Sequence, residues 1–244
     1  MFLDIGADSI PGQRCEFELE RYREAGEVLE SFIAEFATSD LMASASYFCG
    51  EAMFRAGRNG QAAKHLKRVV KDFADDRVCG PSMLRLGECE ASLQRWARSE
   101  RVFGDYLDRF GDSEFSYQAQ FGVGWAQENQ GRFDEAVASY KRVAANHRGP
   151  TAARAQFQIG ECLFASKRHA DAVREYLKVD ILYAYPEWSA AALYEAGRCF
   201  EKIVKPVEAR AQFQQVIDEY GQTRWAKLAA ERLAQVSAGP VPGR

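Results

Sequence analysis

Glycine recurs along this chain at a nearly constant interval, and this regularity restricts the fold more than any other feature of the sequence. Four further columns keep fixed offsets from these glycines: a small residue at twelve, a large apolar residue at sixteen, Val or Tyr at nineteen and a ring at twenty-three. A period of this length predicts stacked, similar structural units. The glycines, which lie 37, 37, 36 and 37 residues apart, are Gly50, Gly87, Gly124, Gly160 and Gly197.

Each repeat fits two amphipathic helices joined by a short polar turn. Leu193, Ala196 and Phe200 recur at helical spacing in the first half of the last repeat. In the second halves, offsets of four and three place the column residues on one helix face. We expect each column glycine to face the small residue of the second helix, because a larger side chain there would separate axes that normally lie about 8–10 Å apart.

The columns continue beyond the glycines at both ends of the chain. Residues 16–36 match a second helix without its partner, which we expect to pack on the next helix through Leu29, Phe32 and Phe36. Residues 225–236 match a lone first helix that caps the array. We therefore expect an irregular segment at residues 1–15, one helical domain at residues 16–236 and a disordered tail at residues 237–244.

The stretch GRFDEAVASY at residues 131–140, with glycine and alanine columns in paired helices, resembles the tetratricopeptide repeat family over about residues 20–236. The resemblance implies an all-α, right-handed solenoid of antiparallel helix pairs with about 5.5 repeats. It also implies a scaffold that binds a peptide or protein in a concave groove. The tryptophan that the family often carries four residues before the glycine is replaced by Ser46, Met83, Gln120, Gln156 and Leu193.

The repeat is longer than the family's usual period of about 34 residues. The longer form is similar to a bacterial subgroup found in cell-envelope assembly factors and in the Tol–Pal-associated periplasmic protein. The alternatives to a simple binding scaffold are therefore a segment of a larger cell-envelope protein and a self-associating spacer. The first residues do not resemble a signal peptide, which favours the cytoplasm by default, or the periplasm if the chain is a fragment of a longer protein.

In this family, one face of the first helices lines the groove, three residues before, one after and four after the glycine. Aromatic residues alternate there with carboxylates, which favours a partner with apolar anchors and basic residues. The column three before the glycine is equally consistent with packing along the inner wall. Trp125 occupies a column that otherwise holds charge, so we expect it to be partly exposed. The predicted groove residues are Tyr47, Glu51, Phe54, Leu84, Glu88, Phe121, Trp125, Glu128, Phe157, Glu161, Phe164, Tyr194, Arg198 and Glu201.

Other functional classes find little support in the sequence. The net charge of −3 argues against a nucleic-acid surface, and no apolar run approaches the roughly 20 residues of a membrane span. No nucleophile, base or phosphate-loop pattern is apparent, so we expect neither an enzyme nor a cofactor. No Cys or His spacing is typical of zinc, so no metal is expected. Four cysteines fall in packing columns (Cys49, Cys89, Cys162 and Cys199), whereas Cys15 and Cys79 are candidates for exposed thiols.

Overall fold

The computed structural model describes residues 12–237, and their side chains over residues 20–235. Over that range the chain forms twelve α-helices and no strand. It divides into two compact units, residues 1–130 and residues 131–244, here called the N-terminal and C-terminal units. Within each unit, every helix packs on the next one along the chain, and the short connections make these neighbours antiparallel.

The N-terminal unit contains a long first helix followed by shorter helices of 14 or 15 residues. Its helices are α1 (Gly12–Glu35), α2 (Met42–Arg55), α3 (Asn59–Asp72), α4 (Cys79–Ser92), α5 (Trp96–Phe110) and α6 (Ser116–Asn129). The C-terminal unit contains α7 (Phe133–Asn146), α8 (Pro150–Ala165), α9 (His169–Leu182), α10 (Pro186–Lys202), α11 (Pro206–Glu219) and α12 (Arg224–Ser237).

The two ends differ from prediction in detail. Helix α1 begins at Gly12, earlier than the expected start near residue 16, so residues 12–15 are helical. Residues 1–11 and 238–244 lie outside the described part, and the predictions for them stay predictions. Leu29 and Ile33 of α1 pack on the core of α2 and α3, but Phe36 is 47% exposed and takes no part in that core.

At Gly50, Gly87, Gly160 and Gly197 an added Cβ would meet the large residue of the second helix, a contact that the repeat pattern did not predict. The expected contact with the small residue is also present: the Cβ at Gly50 would lie 3.4 Å from the backbone oxygen of Ala62, and the Ser99 hydroxyl donates to the Gly87 carbonyl at 2.9 Å. A Cβ atom at Gly160 would lie 2.5 Å from Cε1 of Tyr176, and at Gly197 it would lie 2.5 Å from Cε1 of Phe213. At Gly50 it would lie 2.6 Å from Cγ of Leu66. The large side chain sixteen residues on therefore sits directly over the glycine. The small column is buried beside this contact.

The turn inside each repeat uses one left-handed residue, seven positions after the column glycine. Gly57 and Gly131 have φ of +74° there, and glycine takes this conformation without steric cost. The equivalent positions in the other repeats are Gln94, Lys167 and Val204, with φ of 56°, 61° and 59°. Since a β-branched residue is disfavoured in this region, the turn at Val204 is strained.

Candidate peptide-binding face

In the N-terminal unit, the predicted groove residues of α2 and α4 border a small cavity. Tyr47 and Leu84 are partly exposed, and both contribute to its wall. The cavity has a volume of about 200 Å³. Its lining residues are Tyr47, Pro81, Leu84, Arg85, Glu88, Tyr106, Phe115 and Gln118. Three of the predicted groove residues therefore meet at one concave site.

A charged network lies beside this cavity. The guanidinium of Arg85 donates to both carboxylate oxygens of Glu51, at 2.7 and 3.2 Å, and also to Glu88. Arg55 donates to Glu51 at 2.8 Å. The Arg85 guanidinium also stacks over the ring of Phe54, 4.4 Å from its centroid. Two arginines and two glutamates thus neutralise one another on α2 and α4.

This network corrects one sequence-based prediction. Glu51 and Glu88 were expected to attract a basic partner, but arginines of the same chain already occupy their carboxylates. Glu88 is buried, and this burial raises its pKa against the opposing effect of Arg85. The sequence signal for the pair is modest, since Arg85 precedes Glu88 by three residues on one helix face.

The first groove column divides between core and surface. Phe121 of α6 is 1% exposed, and Phe157 of α8 is buried against the rings of Tyr176 and Trp188, at centroid distances of 5.4 Å. Core packing, the second of the two interpretations, therefore describes these two residues. Tyr194 of α10 is partly exposed and packs against Phe213 and Trp225, at 5.6 and 5.5 Å.

Trp125 of α6 is partly exposed, as its column suggested. Its ring meets the ring of Trp96, at the start of α5, edge-on with a centroid distance of 5.4 Å. Glu128, one turn further along α6, is partly exposed as well. The two tryptophans form an aromatic surface that solvent can reach, whereas Phe121 on the same helix cannot be reached.

In the C-terminal unit, the predicted groove carboxylate Glu161 accepts a hydrogen bond from the Tyr176 hydroxyl at 2.5 Å. Arg198 donates to both oxygens of Glu195, at 2.9 and 2.7 Å. Its guanidinium lies 5.2 Å from the ring centroid of Phe164. On this face Arg198 is therefore paired with Glu195, and Glu161 has a tyrosine hydroxyl as its hydrogen-bond donor.

Glu195 was not among the predicted groove residues, and its environment is unusual. The residue is 7% exposed. Its pKa is raised to about 7: burial is the largest cause, Arg198 opposes the shift, and the nearby Glu161 carboxylate adds to it. Burial also raises the pKa of the Tyr176 hydroxyl well above its ordinary value, and Glu161 adds to the effect. Glu195 lies two residues before the column glycine, a position outside the columns that define the repeat. Its burial therefore follows from packing and could not be read from a sequence motif.

The last predicted groove residue, Glu201, is also paired. Arg232 of α12 donates to both of its oxygens, at 3.1 and 2.9 Å. This pair ties the capping helix to α10. Four predicted groove residues, Glu51, Glu88, Arg198 and Glu201, are therefore in ion pairs within the chain, and Glu161 accepts a hydrogen bond from Tyr176.

The cysteines whose side chains the structure describes are buried, and none of them forms a disulfide: Cys49, Cys79, Cys89, Cys162 and Cys199. Cys79 was a candidate for an exposed thiol, and that prediction is wrong: its side chain is buried at the start of α4, beside Met83 and Tyr106. Burial raises the pKa of Cys49, Cys89 and Cys199 to about 12. The side chain of Cys15 lies outside the described residues.

No helix within residues 12–237 combines the length and apolar character needed to cross a membrane.

Comparison with known proteins identifies the fold family. Sequence models of the tetratricopeptide repeat match residues 16–77, 84–149, 124–187 and 191–223, which is most of the chain. The chain belongs to the tetratricopeptide repeat family. Among curated proteins none matches it. Tetratricopeptide repeats generally serve as non-catalytic scaffolds built from stacked helix pairs.

Solved structures share the same arrangement of helices. MamA from Desulfovibrio magneticus RS-1, residues 41 to the end, matches with a TM-score of 0.64 and 18% identity over 76% of this chain and 98% of that chain. YrrB, described as a TPR protein with an unusual peptide-binding site, matches with a TM-score of 0.59 and 15% identity over 84% of this chain and 99% of that chain. At these identities the likeness shows that this tetratricopeptide repeat protein has the all-α helical-repeat fold of the family.

Proposed function

We propose that this chain is a non-enzymatic scaffold that binds a peptide or protein segment on the first-helix face of its N-terminal unit. Membership of the tetratricopeptide repeat family supports this, because the fold is typical of protein-interaction scaffolds. The described peptide-binding site of YrrB supports it at the level of the fold.

The observation that carries the proposal is the cavity bordered by Tyr47, Leu84 and Glu88. The family resemblance points to these three residues, and the structure arranges them around one concave site. Pockets for drug-sized molecules usually measure about 300–1,000 Å³. A cavity of about 200 Å³ suits one or two side chains of a longer partner better than a free metabolite.

The partner's anchor at this site is an apolar side chain. The neighbouring charges of Arg85, Glu51 and Glu88 are already paired, so a basic side chain gains no free carboxylate from them. Breaking such a partly buried pair would leave a charge without its partner, which is costly. Aromatic contacts usually dominate binding energy at such sites, and Trp125 provides a second accessible ring on the same unit.

Selection of peptides from a displayed random library on the full chain tests the proposal. We expect the recovered peptides to share an apolar residue. Their affinities, measured by calorimetry, should fall about 30-fold for Tyr47→Ala, which corresponds to about 2 kcal/mol. A similar loss is expected for Trp125→Ala if the peptide extends to that ring, and a melting curve should accompany each variant.

Phe48 provides a matched control. It follows Tyr47 on α2, its ring lies 5.2 Å from that of Tyr47, and it is 55% exposed without lining the cavity. Phe48→Ala should therefore leave the affinity unchanged. If Tyr47→Ala folds normally and binds the selected peptides as well as the wild type does, this face is not where the protein binds its partner.

Self-association is a second candidate function, favoured by exposed apolar residues at the beginning of the N-terminal unit. Phe36, Leu41 and Phe48 are 47%, 62% and 55% exposed. A second copy that covered them would remove this apolar surface from water. Light scattering over a dilution series, on the wild type and on Leu41→Asp, separates a dimer from a monomeric binder.

The repeat period of 36–37 residues supports a further proposal about the setting of this activity. It favours the long-period form of the family found in cell-envelope assembly; the compartment that we propose is the cytoplasm by default, and the periplasm if the chain is a fragment of a longer envelope protein. Fractionation of source cells with an antibody against the chain tests this. Recovery in the cytoplasmic fraction would contradict the envelope proposal without affecting the binding face.

A further inference from the structure

Three chemically different side chains meet between α1, α2 and α3 of the N-terminal unit. A carboxylate oxygen of Glu30, Sγ of Cys49 and a ring nitrogen of His65 all lie within 4.8 Å of one another. Nε2 of His65 is 3.1 Å from Oε1 of Glu30. The Cys49 thiol donates to the backbone carbonyl of Gly26 at 3.5 Å. Each of the three helices therefore contributes one group that can bind a metal ion.

Repeat packing does not require these residue types. The position of Cys49 is aliphatic in the other repeats, and the position of His65 varies in character. The equivalents of Cys49 are Leu86, Val123, Ile159 and Ala196. The equivalents of His65 are Val102, Ser139, Glu175 and Gln212. The thiol and the imidazole therefore occur together in the one repeat where the Glu30 carboxylate of α1 lies beside them.

The cluster is closed on one side and open on the other. Cys49 is fully buried. The side chain of His65 is 17% exposed, and that of Glu30 is 38% exposed. An ion can therefore enter past Glu30, and a water molecule can reach it from the same side, while the sulfur remains shielded from solvent.

We propose that Glu30, Cys49 and His65 form a zinc-binding site. Sulfur, imidazole nitrogen and carboxylate oxygen are the three ligand types that Zn²⁺ accepts, whereas Mg²⁺ and Ca²⁺ prefer oxygen ligands alone. Three protein ligands leave the fourth tetrahedral position to water. The site joins α1, the half-repeat without its own first helix, to both helices of the first complete repeat.

The observed spacing is close to what a tetrahedral ion requires. Bond lengths of about 2.0–2.3 Å to zinc put ligand atoms about 3.3–3.8 Å apart. The His65–Glu30 pair is already at 3.1 Å, and the widest separation in the cluster, at most 4.8 Å, has to close by about 1 Å. Because Glu30 and His65 are already close, the widest separation is one to Sγ of Cys49, and rotamer changes of the partly exposed Glu30 and His65 side chains supply the movement while the helices stay in place.

The binding step is balanced by proton release. Zn²⁺ displaces the proton of the Cys49 thiol, which leaves as H⁺, and the S–Zn bond replaces the hydrogen bond to Gly26. Neutral His65 supplies the lone pair of one ring nitrogen, and Glu30 binds as the carboxylate. Metal binding to thiolate and imidazole sites is accordingly coupled to pH.

Metal titration of the full, untagged and reduced chain tests the site. Competition with a chromogenic chelator should give one zinc per chain, and Glu30→Gln or His65→Gln should weaken binding at least about 100-fold. Loss of groups that only support a ligand already costs about 10–100-fold. With Co²⁺ in place of zinc, the wild type should show the thiolate charge-transfer band of a tetrahedral site, and Cys49→Ala should lack it.

Cys199→Ala is the matched control, because Cys199 is an equally buried free cysteine in the C-terminal unit. It should leave zinc affinity and the Co²⁺ spectrum unchanged. Zinc should also raise the thermal midpoint of the wild type but not that of Glu30→Gln. Equal zinc affinity in the wild type and the Glu30 and His65 variants would overturn the proposal. So would a Co²⁺ complex without the thiolate band. The affinity comparison and the Co²⁺ spectrum of the wild type do not require Cys49→Ala to fold. The Glu30 and His65 variants should fold, because both side chains are partly exposed.

Discussion

The two units neutralise the charges of their first-helix faces in different ways. In the N-terminal unit, Arg85 lies between Glu51 and Glu88 and, with Arg55, balances both carboxylates. In the C-terminal unit, Arg198 donates to Glu195, and the Tyr176 hydroxyl donates to Glu161. The same repeat positions therefore carry a network of two arginines and two glutamates in one unit, and an ion pair beside a tyrosine–carboxylate hydrogen bond in the other.

This difference affects the ionisation of the buried carboxylates, which the repeat pattern alone would predict to be the same in both units. Burial raises the pKa of Glu88 as well as that of Glu195, because desolvation disfavours the charged form of a carboxylate. The shift of Glu195, to about 7, is the large one. We therefore expect stability near neutral pH to depend on pH mainly through the C-terminal unit.

Removing the arginine of each face gives the largest expected effect. Arg85→Met leaves Glu51 and Glu88 without a shared donor, and Glu88 is buried. Unpairing a buried carboxylate costs about 3–5 kcal/mol, but Arg85 is 27% exposed, so we expect about 3 kcal/mol. Arg198→Met should cost about 1 kcal/mol at pH 6, because Glu195 already holds a proton at that pH and loses no charge partner. Urea unfolding at pH 6 measures both, and equal losses would contradict the comparison.

Glu195→Gln sharpens the same comparison through pH. The folded protein holds a proton on Glu195 up to about pH 7, whereas the unfolded chain releases it near 4.5. Between these values the folded state binds more protons, so the free energy of unfolding falls as pH rises. The stabilisation is complete below about pH 4.5 and is lost by about pH 7, a change of about 3 kcal/mol at about 1.4 kcal/mol per pKa unit.

The measurement is the unfolding free energy of both proteins from pH 4.5 to 8. Glu195→Gln should flatten the fall that the wild type shows in this window and should be the more stable protein at pH 8. Glu201→Gln is the control, because the Glu201–Arg232 ion pair is more exposed than the Glu195–Arg198 pair. If the wild type and Glu195→Gln follow parallel curves, Glu195 does not hold its proton to neutral pH.

The repeat pattern predicted the helices far better than it predicted the partners of individual side chains. Column spacing locates each helix and the face that it buries, because both follow from the helical period. It does not say which residue of the second helix meets the column glycine, and the contact of Gly160 with Tyr176 was therefore missed. Periodicity within a helix contains no information on the register between two helices.

The ion-pair partners of the groove carboxylates and the cluster of metal ligands were missed for a related reason. Glu51 and Arg85 lie 34 residues apart, and Glu30 and His65 lie 35 apart, close to one repeat period in each case. No short motif records such pairs, because they are neighbours only after adjacent repeats have stacked. A comparison of residues one period apart is the signal that could have found them.

Substitution of a column glycine by alanine tests how easily the large side chain that packs over this glycine can move aside. In Gly160→Ala the new Cβ meets Tyr176, which is fixed by its bond to Glu161 and by the Phe157 ring. Overpacking costs about 1–3 kcal/mol, and the better helix propensity of alanine returns up to about 1 kcal/mol. We expect a net loss of about 1–2 kcal/mol in the urea midpoint analysis.

Gly50→Ala in the N-terminal unit should cost less than about 1 kcal/mol. The new Cβ meets Leu66 there, and this aliphatic side chain can rotate without breaking a hydrogen bond. Gly60, where an added Cβ would meet nothing within 4 Å, is the control for propensity alone. If Gly50→Ala lost as much stability as Gly160→Ala or more, the Tyr176 ring and its hydrogen bond would not explain how well each site tolerates an added methyl group.

The smallest expected effect is a stabilisation, at the turn column that the two units share. Val204 of the C-terminal unit has φ of 59°, where the N-terminal unit has Gly57 with φ of +74°. The left-handed conformation costs an L-residue about 1–2 kcal/mol, and glycine loses part of this gain through its greater freedom in the unfolded chain. Val204 is 84% exposed, so little packing is lost in Val204→Gly. We expect the unfolding free energy to rise by about 0.5–1 kcal/mol, with Val204→Ala as the control that removes the branched side chain but keeps the steric restriction. Because Ala retains its Cβ, a rise for Val204→Ala as large as that for Val204→Gly would show that the exposed apolar side chain, and not the backbone conformation, makes this turn less stable.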